Sequence, residues 1–211
     1  MRQGLFITFE GPDGSGKTTQ IKKLKEYLTN QGIDAVLTRE PGGTYIGEKI
    51  REIILDPKHQ EMTYLAESLL YAASRAQHVS EVIMPALKAG KTVICDRFMD
   101  SSIAYQGYGR KLGDKVRIIN EIAVGGLVPD LTFLLLINPK EGKDRISRNE
   151  LDRLELEEIN YHLDVYAGYQ ELLQKHSDRI ILIDGAGKIE DITEEITAKM
   201  WSFLESRQGV V

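Results

Sequence analysis

The stretch "FITFEGPDGSGKTTQ", from Phe6 to Gln20, constrains this chain more than any other. Apolar and β-branched residues suited to a strand run into three glycines, a lysine and two threonines, which favour neither strand nor helix. Gly11-Pro12-Asp13-Gly14-Ser15-Gly16-Lys17-Thr18 matches the pattern G-x-x-x-x-G-K-[ST]. Glycine admits positive φ and close approach, so successive backbone N–H groups can turn inward as a nest for an anion. A helix expected from Thr18 adds its unpaired amides and the positive end of its dipole. Lys17 is then placed to reach the outer phosphates of a nucleotide, and the Thr18 hydroxyl to ligate Mg²⁺. The loop's own backbone is the binding surface.

The rest of the chain supplies the context such a loop needs. Strands are expected over 5–9, 35–38, 92–96, 131–137 and 180–184. Several are continuous apolar runs, such as "LTFLLLI", which suit strands covered on both faces. Helical periodicity fills the intervals at 18–30, 44–55, 65–88, 114–124, from 141, 155–175 and 191–205. This alternation predicts an α/β fold, a P-loop three-layer sandwich with a five-stranded parallel sheet and helices on both faces. The expected strand order is 2-3-1-4-5, in one domain spanning 1–211 with a short lid at about 141–155. Ligands in such sheets collect beyond the carboxyl ends of the strands. There the sequence sets Glu10, Arg39-Glu40, Asp96-Arg97 and Asp184, together predicting a charged cleft.

Composition narrows the setting. A net charge of −5 argues against holding bulk nucleic acid, which needs a basic face. Cys95 is the single cysteine and has no partner for an intramolecular bridge, which points to a reducing cytoplasm. No leader pattern or membrane-length apolar run is present. His59, His78, His162 and His176 lack metal-ligand spacing and read as surface or lid residues.

A phosphate loop alone fits a kinase, a GTPase, a motor or a partitioning ATPase. No N-K-x-D guanine signal occurs, since "NPKE" at Asn138 carries a misplaced proline, and no D-x-x-G switch follows a strand. Instead the third strand ends in "VICDRF". Asp96 is placed to orient Mg²⁺ or its waters, and Arg97 beside it suits a second phosphate-bearing molecule. Arg39, Arg51, Arg75, Arg148 and Arg153 occupy loop and helix positions around the expected cleft. A second set of arginines indicates an anionic acceptor, hence a kinase of the nucleoside-monophosphate type. Another small-molecule kinase on the same architecture, or a switch ATPase, remains the alternative reading.

The pieces "FEGPDGSGKTT", "TREPGGT" with "GEKIR", "ESLLYAASRAQH", "CDRFMDSSIAYQG", "GGLVPDLTFLL" and "RNELDRLE", in this order, resemble the bacterial-type thymidylate kinases over essentially the whole chain. The resemblance implies transfer from ATP to dTMP, giving dTDP on the route to dTTP, with Mg²⁺ required, and a homodimer. It implies that Asp13 accepts from the acceptor's 3′-hydroxyl and that Arg39, Arg51 and Arg97 hold its phosphate. It implies too that Tyr71 stacks on thymine, that Arg75 and Gln106 read the base edge with Ser102 assisting, and that Tyr105 crowds the 2′ position. Gly14 stands where one subclass has an arginine, so the extra catalytic arginine comes from the lid as Arg148 or Arg153, Arg148 being the choice. Phe98 replaces a common tyrosine after Asp96-Arg97. The resemblance also implies that the segment "IDGAGKIEDI" contacts adenine and that part of the Leu65, Leu69, Ala72 and Ala76 stripe packs on a twin subunit.

Overall fold

The structure, a computed structural model, describes residues 4–146 and 151–208. Five strands form one parallel sheet: β1 (Phe6–Glu10), β2 (Ala35–Arg39), β3 (Thr92–Asp96), β4 (Leu131–Leu136) and β5 (Ile180–Asp184), in the order β2-β3-β1-β4-β5. The expected sandwich and strand order are both present. β1 sits centrally, with Ile7 registered against Ile94 on one side and Leu131 on the other. All of β1 and β4 is buried, as their unbroken apolar runs require.

Alternation along each strand sorts the core into two faces. Ile7, Phe9, Ile94, Phe133, Leu135 and Ile183 meet Ile21, Leu24 and Leu28 of α1 (Lys17–Asn30) and Ile192, Ile196 and Met200 of α9 (Ile189–Gln208). On the opposite face Phe6, Val93 and Cys95 pack beneath Val79, Ile83 and Leu87, while Leu134 and Leu136 meet Val165, Tyr169 and Leu172 of α8 (Ile159–Lys175). Phe98 explains its lack of a hydroxyl here: it is fully buried, edge-on to Phe6 with ring centroids 4.9 Å apart.

Local chemistry sets the helix starts. The Thr44 hydroxyl accepts from Gly47 N at 3.0 Å to begin α2 (Tyr45–Leu55), and Thr63 accepts from Ala66 N to begin α3 (Tyr64–His78). The single helix expected over 65–88 is instead broken by a π turn at Val79–Ile83 before α4 (Met84–Lys88). Pro85 has no amide to donate and its ring opposes the preceding turn, so a widened turn relieves the conflict. A short α5 (Met99–Ser102) running into a second π turn (Ile103–Gly109) was absent from the periodicity. α6 (Asp114–Val124) then packs beside α3, and α7 (Pro139–Arg145) opens the segment toward the lid.

Candidate active site

The phosphate loop has the backbone its sequence demands. Gly11, Gly14 and Gly16 have φ of 133°, 77° and 90°, and α1 starts at Lys17. A β-carbon on Gly14 would lie 2.4 Å from the Gly142 carbonyl oxygen, so α7 rests directly on the loop. Lys17 Nζ donates to the carbonyls of Gly11 at 3.0 Å and Pro12 at 2.8 Å. Burial, with Arg97 adding to it, brings the ammonium pKa down to about 8.

At the end of β3, Thr18 Oγ1 donates to Asp96 Oδ2 at 3.3 Å. Asp96 Oδ1 is buried with no hydrogen-bond partner among the described residues. A hydroxyl beside a carboxylate oxygen without a partner is a donor set that fits a Mg²⁺ ion bound mainly through phosphates and waters. No cluster of three or more His, Cys, Asp or Glu that could cage a metal exists among the described residues.

Arg97 holds the junction. Its φ of 67° is left-handed, a conformation that costs a non-glycine residue about 1–3 kcal/mol. That turn sends the guanidinium back toward the loop, where Nη1 donates to the Gly11 carbonyl at 2.8 Å and Nη2 pairs with Asp13. Tyr105 Oη donates to the other Asp13 oxygen at 2.9 Å. Burial pushes the Asp13 carboxyl upward, but Arg97, Lys17 and Tyr105 outweigh it and bring the pKa down to about 2. Glu10, fully buried behind them, goes the other way: burial and the Asp100 charge lift it to about 7.

Two cavities meet at this junction. One, about 540 Å³ of space between protein atoms, is lined by Asp13, Arg51, Tyr71, Arg75, Ser102, Tyr105 and Gln106. The other, about 940 Å³ and open, is lined by Gly14, Gly16, Lys17, Thr18, Arg39 and Asp96. Asp13, Glu40, Arg51 and Arg97 line both. Residues expected to hold an acceptor therefore come together, except that Arg39 stays on the outer cavity, paired with Glu48 at 2.8 Å. Arg51 is steadied by the Pro41 carbonyl at 3.0 Å.

The base-reading candidates are anchored from behind. Arg75 is buried, with Nε on Glu40 at 2.6 Å, Nη1 on Ser102 at 2.9 Å and on Asn120, and Nη2 on the Phe98 carbonyl at 3.0 Å. Of its five N–H groups these contacts leave one for the cavity. Gln106 Nε2 donates to Glu67 at 2.9 Å. His78 is neither a surface nor a lid residue: it is fully buried, 2.5 Å from Thr38 Oγ1 and 2.9 Å from Glu40 Oε1. The Arg39-Glu40-Pro41 turn has to be fastened to α3, and a buried imidazole between two oxygens does this.

Arg148 lies outside the described residues. Arg153 is buried, donating to Glu67 at 2.6 Å and to the Ile54 carbonyl at 2.9 Å, and it lines neither cavity. Sequence reasoning passed over Arg145, which lines the outer cavity and donates to the Gly185 carbonyl at 2.9 Å. It also missed Glu67, although Glu67, Tyr71 and Arg75 recur every fourth residue and so share one face of α3. Asp184 is exposed, accepts from Ala186 N in its own turn and lines neither cavity. No helix among the described residues is long and apolar enough to cross a membrane.

A family model for thymidylate kinase matches residues 9–196. A thymidylate kinase from Geobacillus sp. (strain WCH70) is 49% identical across 97% of this chain and 100% of its own length. One from Exiguobacterium sp. (strain AT1b) is 53% identical across 92% of each chain. The crystal structure of the thymidylate kinase from Ehrlichia chaffeensis superposes with a TM-score of 0.76 at 34% identity, covering 93% of this chain and 98% of that one. The cavity at the phosphate loop thus shares Asp13, Arg51 and Arg97 with a second cavity, in a chain that belongs to the thymidylate kinase family.

Proposed function

We propose that this thymidylate kinase binds ATP on the phosphate loop and dTMP in the cavity beside Gln106, and that the two nucleotides meet end to end at Arg97. The observation that carries this reading is the shared lining of the two cavities by Asp13, Arg51 and Arg97. Phosphoryl transfer asks mainly for alignment and charge neutralisation, and these residues stand where donor and acceptor phosphates converge. The acceptor phosphate is itself an anionic nucleophile, so no general base is assigned.

The amides from Gly14 to Thr18 hold the donor's phosphates, and Lys17 leaves the loop carbonyls for their oxygens. Arg51 and Arg97 hold the acceptor phosphate, with Arg39 at the outer edge. Asp13 accepts from the sugar 3′-hydroxyl, and Tyr105 beside it fills the space a 2′-hydroxyl would need. Tyr71 stacks on the thymine ring while Gln106 and the remaining Arg75 N–H read its edge, with Ser102 keeping Arg75 in place. Thr18 and Asp96 hold Mg²⁺, Asp96 through water, and the ion supplies positive charge to the transferring oxygens. A lid arginine, Arg148 as first choice, completes the neutralisation. The 185–188 loop serves adenine: a β-carbon at Gly185 would lie 3.1 Å from the Ser15 carbonyl, so this loop flanks the phosphate loop.

The enzyme works as a cytoplasmic homodimer of one-domain subunits. Leu65 and Leu69 on α3 are 45% and 50% exposed, and Ile118 and Ile122 on α6 are 50% and 78% exposed. Since α3 and α6 pack side by side, these side chains form one apolar face suited to a second copy. The buried thiol of Cys95, the chain's only cysteine, suits a reducing compartment.

Parallel turnover assays with dTMP, dUMP, AMP and shikimate test the assignment. ATP consumption should rise steeply with dTMP and exceed that with each other acceptor. Consumption independent of any acceptor would indicate a hydrolase instead.

A further inference from the structure

The amide of Gln106 is held by a carboxylate. Glu67 on α3 is fully buried and receives Gln106 Nε2 on Oε1 at 2.9 Å. Arg110 donates to both Glu67 oxygens, at 3.3 and 3.2 Å, and Arg153 donates to Oε2 at 2.6 Å. Arg110 continues to Glu157 at 2.6 Å, so two carboxylates face two guanidinium groups. This cluster joins α3, the end of the second π turn and residues 153–157.

Its consequence is directional. A carboxylate accepts hydrogen bonds and, between two guanidinium groups, has none to give. Gln106 can therefore meet Glu67 only through its –NH₂ end. An unrestrained glutamine could present either its oxygen or its nitrogen to a ligand, but here the choice is made from behind. The oxygen and the second N–H are left for the cavity that Gln106 lines. An acceptor beside a donor matches a pyrimidine with N3–H next to a carbonyl, as in thymine and uracil. Cytosine, whose N3 accepts, is mismatched.

We propose that Glu67 is a positioning residue for base selection: it holds the Gln106 amide in one of two orientations and so makes the acceptor site prefer a protonated N3. This rests on Gln106 reading the base, and the test separates the two ideas.

The assay is kcat/KM for dUMP and dCMP, which both lack the thymine methyl and differ only along the N3–C4 edge. It is run on the full chain and on Glu67→Gln, Gln106→Ala and the double variant. The native enzyme should prefer dUMP. In Glu67→Gln the new amide can donate to the Gln106 oxygen, so the preference should fall roughly tenfold or more, mainly through KM. In the Gln106→Ala background the same substitution should leave the ratio unchanged. A native ratio in folded Glu67→Gln, or an equal fall in both backgrounds, overturns the proposal. If Gln106→Ala keeps the native ratio, the base-reading role fails and the proposal with it. If Gln106→Ala loses the ratio but Glu67→Gln keeps it, only the Glu67 role fails. Should Glu67→Gln not fold, side-chain NMR of the native protein decides. One Gln106 carboxamide proton should exchange about a hundredfold more slowly than in a free glutamine, and solvent-like exchange of both overturns the proposal.

Discussion

The Arg97 guanidinium is ion-paired with the Asp13 carboxylate, which fastens the end of β3 to the phosphate loop. The pair lines both cavities, so in the proposed arrangement it sets the distance between the two nucleotides. Asp13→Asn keeps the shape and removes the charge that orients Arg97. We expect kcat/KM for dTMP to fall roughly tenfold to a hundredfold, with little change in KM for ATP. Steady-state kinetics with each substrate varied in turn check this, and equal losses toward both would contradict it.

Lys17 gives a proton-linked signal. Its pKa of about 8 leaves about half of the lysines neutral at pH 8, and donor phosphates favour the ammonium. Binding of Mg-ATP at pH 8 should then take up about half a proton, and at pH 6.5 close to none. Calorimetry in two buffers of different ionisation enthalpy measures the uptake. A buffer-independent heat at pH 8 would count against a neutralised Lys17.

The apolar face of α3 and α6 predicts an assembly. Leu69→Glu puts a charge into the surface that the proposed twin subunit would cover, at a site 50% exposed in the single chain and so harmless to its fold. Sedimentation should show a dimer for the native protein and a monomer for the variant. Monomeric native protein at micromolar concentration removes the dimer.

Strand positions and the loop were legible because both rest on local signals. "LTFLLLI" can only be a covered strand, and the glycines at 11, 14 and 16 have the positive φ their loop needs. The helices at 114–124 and 45–55 were found for the same reason. What escaped depends on distance. Neither the widened turn ahead of Pro85 nor the helix across "MDSSIAYQG" has a clean period, the latter because it mixes glycine, aromatic and hydroxyl residues. Glu67 holds Gln106 and Asn120 holds Arg75 from other helices, at separations of 39 and 45 positions along the chain. His78 was misread as a surface or lid residue because its partners, Thr38 and Glu40, lie 40 and 38 residues away.

A crystal structure with dTMP and a non-hydrolysable ATP analogue tests the central claim most directly. The account predicts thymine between Tyr71 and Gln106, its phosphate on Arg51 and Arg97, and the analogue's phosphates on the amides of residues 14–18. Thymine bound away from Gln106, or an acceptor phosphate without Arg97, would contradict it.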